Sequence, residues 1–216
     1  MARVQIFLST VSAEFGSYRD KLRKKLTRPN VSVAVQEDFI ATGTETLDKL
    51  DEYIRECDAV IHLVGDMTGA MAKAPSVAVI RQRYFDFAER LPPVARFLGP
   101  DAPALSYTQW KAWLVRYHRK QLFIAVPDRD VTRDARFESI PVQRAAQQEH
   151  LQRLDEVERY PEITFANPDS LAASVLGSAL FEILKRAGPL VRPTNLPFSS
   201  LGALFKGREA QLDDLA

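Results

Sequence analysis

Cysteine is almost missing from this sequence: Cys57 is the single thiol in 216 residues. One thiol closes no intrachain disulfide and builds no multi-cysteine zinc site, so a reducing, cytoplasmic compartment is expected. Histidine is equally scarce. His62, His118 and His150 lack the short helical spacing that would bring two imidazoles onto one metal, and no metal is expected. Neither sign of charge dominates, because 29 Lys+Arg stand against 28 Asp+Glu for a formal net charge of +1. That balance lacks the footprint of a dedicated nucleic-acid or anionic-membrane binder. Long hydrophobic runs are also missing: no stretch approaches the roughly 18 apolar residues of a membrane span. The N-terminal MARVQIFLSTVS shows no long apolar region and no small-residue cleavage site, so neither secretion nor membrane insertion is expected. What remains, 46% hydrophobic and 26% charged residues, is a globular composition long enough for one substantial domain with or without an appendage.

The apolar pattern alternates between strand and helix. Val4 to Leu8 is rich in β-branched and aromatic residues and stops at Ser9-Thr10, which predicts a buried strand. Tyr18, Leu22 and Leu26 recur at helical spacing and predict an amphipathic helix over about 17–27. Val31 to Val35 predicts a second strand running into Gln36-Glu37-Asp38. A Gly-containing loop, Ala41 to Thr46, leads to a second helix through Leu47, Leu50, Ile54 and Cys57, and then to the nearly continuous apolar run Ala59 to Val64, as expected of a central parallel strand. The rhythm breaks over about 67–105, which reads as an inserted segment with a helical piece near Val79 to Leu91. It resumes with Trp110, Trp113, Leu114 and Tyr117 on one helical face, and with strand Gln121 to Val126. A charged helix over Val142 to Val157, a short strand Glu162 to Phe165, and a last helix Leu171 to Arg186, capped by Asp169 or Ser170, complete the pattern. Five strands separated by helices imply a flavodoxin-like α/β fold, a parallel sheet with helices on both faces. After Gly188 the chain turns Pro-rich and reads as a linker.

Open parallel sheets bind ligands beyond the carboxyl ends of their strands. Here those ends carry Ser9, Thr10, Glu37, Asp38 and Asp66, with Trp110 near the start of a helix and Arg19 close to the first strand's end. Hydroxyls and carboxylates suit a ribose, and an indole suits a base. The Asp residues have a competing role as turn or cap residues. Cys57 and His62 fall on an apolar helix stripe and inside a strand, and are expected in the core. Gly65 to Gly69 lacks the Lys and spacing of a P-loop, which excludes a triphosphate site there.

Four stretches together resemble a known family: Ile6-Phe7-Leu8-Ser9-Thr10 with Tyr18-Arg19-Asp20; Val35 to Asp38; Cys57 to Gly65; and Ser106-Tyr107-Thr108-Gln109-Trp110. They are similar to the TIR-like (Toll/interleukin-1 receptor-like) domains, long catalogued as a domain of unknown function, that stand at the N-terminus of bacterial signal-transducing ATPases. The resemblance covers residues 1–187. It implies a TIR-like effector, with 188–216 as linker and start of an ATPase module, and Leu204-Phe205-Lys206-Gly207-Arg208-Glu209 resembles the entry of a STAND (NB-ARC-type) nucleotide-binding module. It further implies bacterial immunity or stress signalling, self-association when copies are clustered, and NAD+ as substrate rather than cofactor. TIR-like enzymes cleave the nicotinamide–ribose bond with a helix-borne glutamate, whose charge stabilises the developing oxocarbenium ion. Relatives commonly carry that acid directly after the Thr-Gln-aromatic stretch. This chain has Lys111 there, and an ammonium cannot serve that role. Three explanations stay open: a non-catalytic interaction module, another acid such as Glu37 doing the work, or a register shifted by one turn. Position 111 is expected to be partly exposed and to border the cleft, and Trp110 to line it.

Overall fold

The computed structural model describes residues 3–38, 46–99, 101–160 and 162–187. The expected linker and ATPase-entry motif at 188–216, and residues 41–45 of the expected Gly-containing loop, lie outside them.

Five strands form one parallel sheet in the order β2-β1-β3-β4-β5, the flavodoxin-like arrangement. They are β1 (Val4–Ser9), β2 (Val31–Val35), β3 (Ala59–Leu63), β4 (Gln121–Pro127) and β5 (Glu162–Phe165). Order reverses between β1 and β3, since the chain first winds outward to β2 and then crosses back. Every residue of β3 is buried, because this strand is covered on both faces, which is why its sequence is a continuous apolar run. One face packs against α1 (Ser12–Leu26), α7 (Pro168–Leu176) and α8 (Leu180–Arg186) through Ile6, Leu8, Phe15, Leu22, Leu171 and Ile183. The other packs against α2 (Thr46–Glu56), α3 (Ala74–Arg83), α5 (Tyr107–Tyr117) and α6 (Pro141–Val157) through Phe7, Val60, Ile80, Trp110, Trp113 and Leu154.

Helix boundaries depart from the periodicity in four places. Helix α1 starts at Ser12 rather than near Ser17 and kinks at Phe15 (φ −136°, ψ 30°). The kink breaks the apolar stripe while turning Phe15 into the core, edge-on to Phe165 at 5.4 Å. The expected helix over Val79 to Leu91 is two, α3 and α4 (Phe87–Arg90), followed by a 3-10 turn Pro92–Phe97. The expected last helix is also two, interrupted at Gly177, which ends α7. Its N-cap is Asn167, whose side chain accepts from the Asp169 and Ser170 N–H groups at 3.0 and 2.9 Å. Ser170 answers from the third helical position as the other half of a capping box.

The segment between β3 and α5 is packed rather than loose. Ile80, Phe87, Val94 and Phe97 from it join the core that holds Trp110. A second anchor lies beneath it, where the fully buried Asp51 of α2 accepts from Tyr84 Oη and pairs with His118 Nε2, both at 2.6 Å.

Candidate functional site

The carboxyl edge of the sheet carries two depressions. One, of about 360 Å³, lies beyond β1 and β2 and is lined by Thr10, Ser12, Glu37, Gly69, Tyr107 and Thr108 among others. The second, of about 400 Å³, lies beyond β3 and β4, with Asp66, Arg129, Arg133, Arg144 and Gln147 in its wall.

Glu37 stands in the 3-10 turn Gln36–Asp38 that follows β2. Its carboxylate accepts from Ser12 Oγ at 2.6 Å and pairs with the Arg19 guanidinium. Burial pushes the Glu37 pKa up, but the Ser12 and Arg19 hydrogen bonds outweigh it and hold it below the ordinary carboxylate range. Arg19 also donates to Ser12 Oγ at 2.8 Å and to Asp20 at 2.9 and 3.0 Å. Burial opposes its charge, and its bonds to Glu37 and Asp20 raise its pKa overall. The structure thus brings Thr10 and Glu37 into the wall of one pocket, with Arg19 paired to Glu37.

The other expected residues go elsewhere. Ser9 is fully buried and its Oγ is 3.0 Å from His62 Nδ1. Asp38 closes the turn, accepting the Val35 N–H at 3.0 Å and pairing with Arg23 at 2.9 Å, the cap role that competes for any Asp after a strand. Asp66 belongs to the second depression and pairs with Arg144 at 2.8 Å. Cys57 is in the core, where burial raises its thiol pKa to about 12, and His62 is likewise fully buried.

Two expectations are corrected. Trp110 does not line the cleft. It has no exposed surface and packs on Phe87 at 5.9 Å between ring centroids. The reason is the cap: Ser106 accepts the Gln109 N–H at 3.1 Å and Gln109 Oε1 accepts the Ser106 N–H at 3.1 Å. Helix α5 therefore begins at Tyr107, and Tyr107 and Thr108 take the rim while position 110 turns onto the sheet. Lys111 is not partly exposed either. It retains 1% of its surface, with Nζ 5.6 Å from the centre of the Phe7 ring. Burial lowers its pKa to about 8, with Glu37 acting to raise it and Arg19 to lower it.

Glu14 is the residue the sequence pattern did not single out. It is fully buried at the crevice between β1 and β3. Its carboxylate accepts the Asp66 N–H at 2.9 Å, the Met67 N–H at 2.8 Å and Arg133 Nε at 2.9 Å. Gly65 makes room for it: a Cβ there would stand 2.2 Å from Glu14 Oε1. The available signal was an acid in the first turn after Ser9-Thr10, hidden because the kink at Phe15 placed that turn outside the periodic stripe. Among the described residues no cluster of three or more His, Cys, Asp or Glu is arranged to hold a metal, and no helix is long and apolar enough to cross a membrane.

A family model described as Domain of unknown function (DUF4062) matches residues 5–175, from within β1 to the last turn of α7. The chain belongs to this family. No curated protein and no solved structure matches it. Both depressions of this DUF4062 domain, and the Glu14 crevice between them, fall inside the matched region.

Proposed function

We propose that this DUF4062 domain is a TIR-like signalling module, the N-terminal effector of a cytoplasmic STAND-type ATPase, that works by binding and self-association rather than by cleaving NAD+. The observation that carries the reading is Lys111. The position where TIR-like relatives are expected to hold the catalytic acid is occupied by an ammonium buried to 1% exposure. The one acid lining the β1–β2 pocket among the described residues, Glu37, has its charge matched by Arg19. A developing oxocarbenium ion there would meet a compensated carboxylate and a second cation, which raises rather than lowers its energy.

The test is chromatographic detection of nicotinamide with the chain both dilute and artificially clustered, alongside light scattering over a concentration series. Expected are no release in either state and association that grows with concentration. Nicotinamide release by the clustered chain would overturn the binding-only reading.

A second reading is kept because one observation favours it: the Glu37 side chain is half exposed in the pocket and ionised at neutral pH. In that reading Glu37 is the substitute acid for NAD+ cleavage. Release abolished by Glu37→Ala would establish it, whereas release that survives the change would remove it.

A further inference from the structure

We propose that Phe85 and an apolar hollow beside α3 form a knob-and-hole surface through which two copies of this chain pair about a two-fold axis. The inference rests on the self-association part of the reading above and names the surface that carries it.

Phe85 is 94% exposed, yet its neighbours fix its position. Tyr84 Oη donates to Asp51 at 2.6 Å, Asp86 accepts from Tyr117 Oη at 2.6 Å, and Phe87 is buried against the Tyr117 ring at 4.7 Å between centroids. The ring therefore projects from a pinned turn between α3 and α4, and little backbone ordering opposes its docking. The hollow, of about 300 Å³, lies between α3 and the chain that follows the 3-10 turn, with Val77, Ala78, Phe97, Ala102 and Leu105 in its wall. It admits a phenyl ring and stands at the bottom of the roughly 300–1,000 Å³ range of small-molecule sites. Phe85 does not fill the hollow of its own chain, since its ring is almost wholly in solvent.

Charge favours the same partner. Arg81 is the one charged residue in the lining; it donates to the Leu98 carbonyl at 3.3 Å and forms no ion pair among the described residues. Beside the knob, Arg83 is paired with Asp51 at 3.1 Å and Arg90 with Asp86 at 3.9 Å. Exposed Glu89 is left as an acid with no ion pair among the described residues, so the knob carries a free carboxylate and the hollow a free guanidinium. Four residues separate Arg81 from Phe85, which keeps their Cα atoms within about 14 Å. Knob and hollow thus fall within one interface-sized patch, and a two-fold contact in which each copy gives one ring and receives one closes the dimer. Two exchanged rings bury about 150–250 Å² each, roughly a fifth to a third of a standard interface of about 1,600 Å². The pair is therefore weak alone and favoured where copies are held together.

The experiment is sedimentation equilibrium of the 216-residue chain over a concentration series, with thermal melts establishing that each variant folds. A monomer–dimer equilibrium is expected. Phe85→Ser should weaken it about thirtyfold or more, because each dimer loses two rings, and Ala78→Phe, which fills the hollow, should act to a similar extent. Mixing these two variants should recover association, since a mixed pair restores one ring in one open hollow. Arg81→Glu and Glu89→Arg should each weaken pairing about three- to tenfold, and the two changes in one chain should restore it. A parent dimer indifferent to Phe85→Ser and to Ala78→Phe would overturn the proposal and leave self-association standing, whereas a chain monomeric at every concentration would remove both. Growth of the parent past the dimer would overturn the two-fold arrangement. A small molecule carried by the purified chain in native mass spectrometry and lost in Ala78→Phe would overturn it too, by giving the hollow to a ligand.

Discussion

Two histidines locked neutral inside the domain should make its stability fall steeply on mild acidification. His62 and His150 have no exposed surface and meet edge to face at 5.7 Å, with Trp113 on the other side of His150 at 5.9 Å. Burial, with the Lys111 charge adding to it, lowers the His62 pKa to about 3. Burial, then His62 and Arg153, lowers that of His150 well below its ordinary value. In the unfolded chain both imidazoles take up a proton near pH 6.5, while the folded chain holds them neutral, so the unfolded state binds more protons and stability declines as pH falls below that value. At pH 5 the linkage amounts to about 2 kcal/mol for His62, and His150 acts in the same direction. Such a loss is a large part of the roughly 5–15 kcal/mol that stabilises a typical domain. Carboxylates with lowered pKa, such as Glu37 and Asp51, lose their contribution only at lower pH, which separates the two effects. Urea unfolding at pH 8, 7, 6 and 5 reads the slope directly. The double variant His62→Gln/His150→Leu should keep little of the decline between pH 7 and 5. Equal stability of the parent at pH 8 and 5, or an undiminished slope in the double variant, would refute the reasoning.

Lys111→Met should stabilise the chain at pH 7 by up to about 3 kcal/mol, the linkage value of a lysine whose pKa falls from 10.5 to about 8 on folding. The parent should gain stability as pH rises from 8 toward 10.5, where the folded state releases the proton first, and the variant should lack that gain in thermal melts. Gly65→Ala forces the Glu14 carboxyl off the Asp66 and Met67 amides and should cost about 2–4 kcal/mol in urea titrations, whereas Gly99→Ala, with only Ala102 nearby at 3.7 Å, should be near neutral. Ser106→Ala removes one half of the α5 capping box and should lower stability by about 1 kcal/mol while leaving far-UV circular dichroism at 25 °C unchanged.

The sheet was legible because strand and helix differ in apolar period, and because β3 and β4 are buried on both faces and so read as unbroken apolar runs. What escaped was set by contacts distant in sequence. Glu14 bonds to amides 52 and 53 residues away, and no periodicity encodes that. Trp110 and Lys111 were misplaced for a local reason: the start of α5 is fixed by the Ser106–Gln109 capping box, and only once that start is known does the helix assign Tyr107 and Thr108 to the rim. Glu37 reaches the carboxyl edge because it directly follows β2, and Arg19 meets it there from within α1. Their ion pair, which compensates the pocket acid, depends on side-chain reach across that edge.

The first turn of α1 acts as a hub for the rim. Besides holding the loop after β3 through Glu14, it ties down the loop after β4. The Asp134 N–H donates to the Glu14 carbonyl at 3.0 Å, Asp134 accepts the Ser17 N–H at 2.8 Å, and Tyr18 Oη donates to the Thr132 carbonyl at 2.7 Å. Two loops that a ligand or partner would meet therefore share one mechanical anchor. Their amides should exchange with solvent as a single cooperative unit, and loosening Glu14 should speed exchange at Asp66, Met67 and Asp134 together.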